Sequence, residues 1–326
     1  MPTIGETIAE MVQYVFPQYA GAPGQIYGGR MMEWITTAGT LAASRLARGP
    51  VVLGAMDDMD FLHPVRVGDI AILRARVEWI GRTSLEVGVR VYSEQPETGA
   101  RHVTLASHLA FVAIDEKGTP RAVGAQVTPA DPREAAIAET ARTRREVRAA
   151  RRALRAAGGA GEAEDGGACG WRFESDRFVF PEDALYGGLM FAGRLLFALD
   201  EVAAVLAVRY ARAPLATASL DALDFRCPIR VGDIVTLRGT LNRVGGRSME
   251  IGVQVLAEEP FTGEVRHSST AYLTFVKLRS AGGGLVPLGP PAPAAGMHEE
   301  AAALRQAARI ERVRRLRESL LNEPEW

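Results

Sequence analysis

The chain has 326 residues, a length that suggests two domains. Its composition, 47% hydrophobic and 24% charged residues, is ordinary for a globular protein. The formal net charge of −1 gives no global basic field of the kind that nucleic-acid-binding proteins show. No apolar run reaches the ~18 residues of a membrane span, and the first residues lack the basic and apolar regions of a signal peptide. Two cysteines cannot build a disulfide framework or a four-thiolate zinc site. We therefore expect a cytoplasmic protein that binds neither nucleic acid nor a membrane.

An internal repeat organises the chain. The pair Asp60-Phe61 recurs as Asp224-Phe225, an offset of 224 − 60 = 164 residues. The same offset produces further matches without a gap over residues 15–112. A register that holds over this length predicts two copies of one structural unit.

Each copy predicts the same succession of elements. An extended segment ends in Pro and leads into a Gly-rich turn, at 24–29 and at 187–193. A long segment without internal Pro follows and predicts a helix, at 31–46 and at 195–212, which is apolar nearly all round and should be buried. Four strand-like stretches complete each copy, at 51–62, 69–80, 84–94 and 103–114, and at 215–226, 233–244, 248–258 and 267–278.

Two further segments follow the copies. Residues 134–157 are rich in Ala and Arg and predict an exposed helix. Its arginines are interpreted as a solvated face or as a packing arm against the other copy, with RNA or phosphate binding as the alternative. Residues 298–321 predict a terminal amphipathic helix, with Leu304, Ala308 and Val313 on or near one stripe.

The predicted fold class is α+β, with two tandem duplicated domains. Each domain is a long buried helix wrapped by a curved antiparallel sheet, the arrangement known as the hot-dog fold. The predicted division is a first domain, an Arg/Ala-rich linker helix with a Gly-rich tether, a second domain and a C-terminal helical tail, at 1–127, 128–164, 165–284 and 285–326.

Three motifs carry a resemblance to a known family. A Gly-Gly turn into a buried helix, Asp-x-x-Asp-Phe followed by Pro-(Ile/Val)-x-Val-Gly-Asp, and Gly-x-x-Ser-(Met/Leu)-Glu together resemble the acyl-CoA thioesterases of the hot-dog fold. Two units in one chain resemble the tandem, brain-type acyl-CoA hydrolases, and the resemblance covers 15–114 and 179–278. It implies hydrolysis of acyl-CoA to a carboxylic acid and CoA. It also implies no metal, no cofactor other than the CoA of the substrate, and a homo-oligomer that is a trimer of hot-dog pairs or a dimer.

The resemblance also implies the layout of the active site. A backbone N–H at the Gly-Gly helix start of one copy polarises the thioester carbonyl, and a carboxylate on the helix of the other copy activates water or attacks directly. These positions are Gly28 and Gly29 in the first copy and Asp200 in the second. The 164-residue offset puts Thr36 in place of the carboxylate and Ala192 in place of the first glycine at the other site. We therefore predict one active site for the pair of copies.

Gln25 is a further candidate for the catalytic site. The family often carries an Asn four residues after the Pro that precedes the Gly-rich turn, and these positions hold Gly21 and Leu185 here. The amide of Gln25, four residues beyond Gly21, is the candidate substitute, whereas its counterpart Leu189 cannot act in this way. Gln25 and Asp200 therefore fall in the same predicted pocket.

The turn that precedes the third long strand of each copy is the candidate CoA site. By resemblance it lies near the pantetheine and phosphates of CoA, and arginine forks bind phosphate well. The candidate residues are Arg82, Ser84, Arg247 and Ser248. An arginine of an ordinary surface turn is the alternative interpretation.

Other functional classes remain open. A noncatalytic acyl-CoA- or thioester-binding hot-dog protein fits the missing Asn and the incomplete second site. An acyl hydratase would need a His at the helix start, and neither Gly-rich turn contains one. The acidic stretch from Asp57 to His63 is a poor metal cluster, because Asp57 and Asp60 point to opposite faces of a strand. An RNA-binding adapter that acts through the Arg-rich linker is the most distant alternative.

Overall fold

The structure, a computed structural model, describes residues 1–21, 24–156, 171–278 and 297–322. The predicted Gly-rich tether lies outside the described residues. Within them the chain forms four α-helices, α1 Gly28–Ala47, α2 Pro132–Ala156, α3 Ala192–Ala211 and α4 Met297–Asn322. The first copy contains the strands β1 Ala9–Tyr14, β2 Val51–Met56, β3 Met59–Asp60, β4 Ile70–Ile80, β5 Ser84–Glu94 and β6 Arg101–Ala113. The second copy contains the strands β7 Arg172–Phe178, β8 Ala184–Tyr186, β9 Leu189–Met190, β10 Leu215–Leu220, β11 Leu223–Asp224, β12 Ile234–Val244, β13 Ser248–Glu259 and β14 Glu264–Lys277.

Two six-stranded antiparallel sheets hold the copies together. Their strand orders are β1-β4-β5-β6-β2-β11 and β3-β10-β14-β13-β12-β7. Each sheet therefore ends in a two-residue strand from the other copy. The pairing is reciprocal, because Asp60 pairs with Ser219 and Asp224 pairs with Ala55, positions related by the 164-residue offset. The predicted tandem α+β hot-dog fold is confirmed.

The predicted strands at 51–62 and 215–226 are each interrupted. Residues Asp57 and Asp58 lie between β2 and β3, and the second copy has the same break between β10 and β11. At the break the chain leaves its own sheet and joins the sheet of the other copy. Met56 and Met59, on either side of the break in the first copy, are both fully buried, which is why the sequence pattern shows one longer strand.

Helices α1 and α3 form the buried centre and pack against each other. The backbone approach is close, since a Cβ added to Gly29 would lie 3.0 Å from the Cα atom of Phe197. The reciprocal contact places Gly193 against Glu33, at 3.2 Å from its Cα atom. Each helix begins three residues earlier than predicted, because the helix start includes glycines that helix propensity alone disfavours. None of the helices in the described ranges is long and apolar enough to cross a membrane.

Of the two interpretations of the α2 arginines, the solvated face was wrong, because these arginines pack against both copies. Arg148 is only 4% exposed and donates hydrogen bonds to Glu86 and Asp57 of the first copy. Arg151 reaches across to Asp224 of the second copy. The helix therefore covers mainly the outer face of its own copy's sheet, because that face carries buried carboxylates that need cationic partners.

Helix α4 plays the corresponding role on the second copy. Arg305 pairs with Glu250, the counterpart of Glu86 by the 164-residue offset, and Arg312 pairs with Asp60 of the first copy. The predicted apolar stripe does not form the contact face, since Leu304 is 68% exposed. Arginines dock this helix for the same reason as in α2, which an apolar pattern cannot reveal.

Candidate active site

The carboxylate of Asp200 lies where the two copies meet. Asp200 belongs to α3 and is 0% exposed. Its Oδ2 atom accepts a 2.7 Å hydrogen bond from the backbone N–H of Gly29, at the start of α1. Its Oδ1 atom accepts a 2.8 Å bond from the Thr217 hydroxyl of β10, and the Tyr27 hydroxyl also donates to the carboxylate. One acidic group is thus held by donors from both copies.

Gly28 closes one side of the carboxylate site. A Cβ atom added there would lie 2.5 Å from the Oγ1 atom of Thr217 and 3.1 Å from Oδ2 of Asp200. Only glycine leaves this space, and it brings the first N–H groups of α1 next to the carboxylate. The N–H groups of a first helical turn have no partner within the helix, and they lie at the positive end of its dipole.

Thr217 stands at an irregularity in its sheet. The pairing of β10 with β14 shifts register between Thr217 and Ser219. Bulges of this kind redirect side chains and are frequent next to active sites. The corresponding shift in the first copy follows Leu53, a residue without a hydroxyl group.

Burial controls the protonation of the site. It raises the pKa of Asp200 to about 6, and the bonds from Thr217, Gly29 and Tyr27 oppose this rise. Burial first, and the charge of Asp200 second, raise the pKa of Tyr27, so its hydroxyl keeps its proton. A carboxyl group with a pKa near neutrality is suited to accept a proton from water.

The remaining predicted catalytic residue lies in the loop before α1. The backbone of Gln25 pairs with Arg66, and its carbonyl accepts a hydrogen bond from the N–H of Gly21. The hydrogen bonds described above reach Asp200 from three other residues. A catalytic role for Gln25 therefore stays a prediction.

Sequence reasoning did not find Tyr27 and Thr217. The repeat contains a signal for both, because their counterparts are Phe191 and Leu53. Phe191 and Leu53 both lack a hydroxyl group, and they belong to the junction at which Thr36 stands in place of Asp200. Comparing the copies position by position along the offset would have revealed the group.

The candidate CoA residues lie in two equivalent turns. Arg82 and Arg247 are both exposed to solvent. Ser84 begins β5 and accepts a 2.8 Å backbone bond from Gly81, and Ser248 begins β13 with an equivalent 2.7 Å bond. The turns are accessible to a charged ligand, and their role toward CoA stays a prediction.

The other junction of the copies contains no carboxylate at the equivalent position. There the Thr36 hydroxyl donates a 2.9 Å bond to the carbonyl of Met32 within α1. A cavity of about 390 Å³ lies beside it, with Leu53 and Ala192 in its walls. The two junctions therefore differ in the groups that could perform chemistry.

Fold and site together define a tandem hot-dog protein with a buried carboxylate at one junction of its copies. The family model of the thioesterase superfamily matches residues 23–100 and 187–263, which lie one in each copy. The chain belongs to the thioesterase superfamily, and the predicted family is confirmed.

Named relatives extend over most of the chain. The acyl-coenzyme A thioesterase 11 of Mus musculus is 28% identical over 281 residues, which are 83% of this chain and 47% of that protein. The cytosolic acyl coenzyme A thioester hydrolase of Homo sapiens is 27% identical over 283 residues, or 82% of this chain and 74% of that protein. The chain thus spans about half of the first relative's length. A solved structure described as an apo-hexameric acyl-CoA thioesterase is 37% identical, with a TM-score of 0.44, and the match covers 47% of this chain and 97% of that one.

Proposed function

We propose that the protein hydrolyses acyl-CoA thioesters to a carboxylic acid and CoA. The observation that carries the proposal is the buried Asp200 carboxylate of the second copy, which faces the N-terminus of α1 from the first copy. The names of the relatives supply the substrate class. The other junction, with Thr36 in the equivalent position, is inactive.

The chemistry follows from the groups at the site. The ionised Asp200 takes a proton from water, and the water oxygen attacks the thioester carbonyl carbon. The N–H group of Gly28 at the start of α1 stabilises the negative charge on the carbonyl oxygen. The N–H group of Gly29, which the sequence predicted for the same role, donates to Asp200 instead. The carbon–sulfur bond then breaks, and the CoA sulfur leaves with the proton returned from Asp200. Direct attack by Asp200 is the variant route, in which water hydrolyses the resulting anhydride.

Supporting residues orient the carboxylate and the substrate. Gly29, Thr217 and Tyr27 hold Asp200 in place, and Gln25 orients the reacting groups. The turns that contain Arg82 with Ser84 and Arg247 with Ser248 bind the pantetheine and phosphates of CoA. The reaction as written requires no metal and no cofactor besides the CoA of the substrate.

The assembly and location belong to the same proposal. The aromatic residues Tyr14 and Phe16, and their counterparts Phe178 and Phe180, are 46–54% exposed at the outer edges of the two sheets. Exposed apolar residues at a sheet edge favour association. With a hexameric thioesterase among similar structures, we propose a trimer of hot-dog pairs. The cytosolic relative supports a cytoplasmic location.

Thiol release from a panel of acyl-CoAs, from acetyl to palmitoyl and including an aromatic acyl group, tests the proposed function. We expect release of free thiol with an equal amount of the carboxylic acid for at least one chain-length class. Binding of CoA without release from any thioester would instead assign a noncatalytic acyl-CoA-binding function and contradict the proposal.

A further inference from the structure

The junction without a carboxylate retains a cavity. Its volume is about 390 Å³, within the ~300–1,000 Å³ range of small-molecule sites. Thr36 and Leu53 line it, and the 164-residue offset relates them to Asp200 and Thr217. The cavity is therefore the duplicated counterpart of the proposed active site, with its chemical groups replaced.

The walls of this cavity are mainly aliphatic. Leu53, Leu189, Leu195 and Ile229 contribute from four different elements or loops of the two copies. The hydroxyl of Thr36 is engaged with the backbone of its own helix. An apolar lining of this kind favours burial of a hydrocarbon group over an ionic or sugar group.

We propose that this cavity is a second, noncatalytic binding site for an acyl chain, either of an acyl-CoA or of the free acid. The inference rests on the proposed function for the identity of the ligand. The duplication preserves a chain-binding shape between the copies, and the replacement of Asp200 by Thr36 removes the group that activates water. A chain bound here is held without being hydrolysed.

Leu189 offers a means of closing the cavity without touching the active site. It lines the cavity, and its counterpart at the active site is Gln25. A tryptophan at position 189 would fill the space that an acyl chain needs. The same replacement at position 25 would obstruct the other junction, which makes the two substitutions a matched pair.

Cys227 offers a direct reporter of occupancy. It lines the cavity and is partly exposed, and burial raises the pKa of its thiol, so that its reaction with a maleimide is slow enough to follow. The chain has two cysteines, and Cys169→Ser leaves Cys227 as the single thiol. Asp200→Asn in the same chain prevents loss of the ligand by hydrolysis.

The experiment measures labelling of Cys227 in this double variant by mass spectrometry, with dodecanoyl-CoA or dodecanoate present. We expect saturating ligand to slow labelling at least about fivefold. Equilibrium dialysis with Asp200→Asn should give two equivalents of dodecanoyl-CoA per chain. Adding Leu189→Trp to this variant should reduce the number to one, with the ligand at the active-site junction. Adding Gln25→Trp instead should also leave one equivalent, with the ligand in the cavity.

The outcomes separate this inference from the proposed function. Protection by dodecanoate assigns the free acid as an occupant, and protection by dodecanoyl-CoA alone assigns the thioester. Unchanged labelling at concentrations that saturate hydrolysis by the wild type overturns the inference and leaves the proposed function intact. The inference is also overturned if Asp200→Asn binds only one equivalent of dodecanoyl-CoA and adding Leu189→Trp does not lower that number.

Discussion

The properties of Asp200 depend on three residues that lie outside its own helix. Gly29 and Tyr27 come from the first copy, and Thr217 comes from a strand of the second. Each donates a hydrogen bond to a carboxylate that burial would otherwise keep protonated at neutral pH. The balance leaves a group that is ionised at neutral pH and still basic enough to take a proton.

The activity should therefore depend on pH through Asp200. Its pKa is raised to about 6, and the proposed reaction needs the ionised form. We expect kcat/KM to fall about tenfold per unit below pH 6 and to be level above it. In the wild type the hydrogen bond from Thr217 lowers the pKa of Asp200. Thr217→Val removes this bond and should therefore move the inflection to higher pH. A profile that stays flat between about pH 5 and pH 7 would contradict this assignment.

Gly28→Ala should impair activity through Thr217. The new Cβ atom would lie 2.5 Å from the Oγ1 atom of Thr217 and displace it from Asp200. We expect kcat/KM to fall roughly 10- to 100-fold, as misplacements of about 1 Å in active sites do. Steady-state kinetics on the best substrate of the panel measures the loss.

A double-mutant cycle shows whether the loss acts through this contact. Thr217→Ala alone should also lower kcat/KM. If Gly28→Ala acts by displacing Thr217, the double variant is no worse than the poorer single variant. Fully multiplicative losses would mean that the two residues act independently.

At the scale of elements, α2 and α4 dock through arginines. Arg148 binds Glu86, and Arg305 binds the equivalent Glu250 on the other copy. A buried ion pair is weak evidence for net stability, but removal of one partner leaves an uncompensated buried charge. The helices are therefore held in place by the cost of exposing those carboxylates unpaired.

Arg148→Met should destabilise the protein strongly. Glu86 is 1% exposed and would lose its partner, so we expect the free energy of unfolding to fall by about 3–5 kcal/mol. Urea unfolding followed by circular dichroism measures the change. Arg142→Met on the same helix breaks an exposed pair with Glu139 and should leave the free energy of unfolding close to that of the wild type. Equal losses in the two variants would contradict the account of how α2 docks.

Most elements of the fold could be predicted from the sequence, and the docking faces of α2 and α4 could not. A gap-free offset and long apolar segments predict two copies with buried helices, because burial of apolar groups dominates folding. The contact face of α4 contains Arg305 and Arg312, whereas Leu304 points to solvent. A rule that seeks an apolar stripe cannot identify a helix that docks by charge.

At the scale of the whole molecule, the duplication allows the two junctions to diverge. One carries Asp200 opposite the glycine-rich start of α1, and the other carries Thr36 at the equivalent position beside a mainly apolar cavity. The pairing of Asp200 with Gly28 and Gly29 could be predicted from the offset and the family resemblance. The repeat shows that Tyr27 and Thr217 differ from their counterparts, but their hydrogen bonds to Asp200 could not be predicted, because these depend on helix packing and on a bulge.

The central claim is that Asp200 supplies the catalytic carboxylate at the junction of the two copies. Thiol release by Asp200→Asn, compared with Glu201→Gln, tests it most directly. Glu201 is the adjacent acid on the same helix and is exposed, so the two substitutions make the same chemical change at positions that face differently. The account predicts a loss of kcat of at least about 100-fold for Asp200→Asn and a change within about twofold for Glu201→Gln. Activity that survives Asp200→Asn would contradict it.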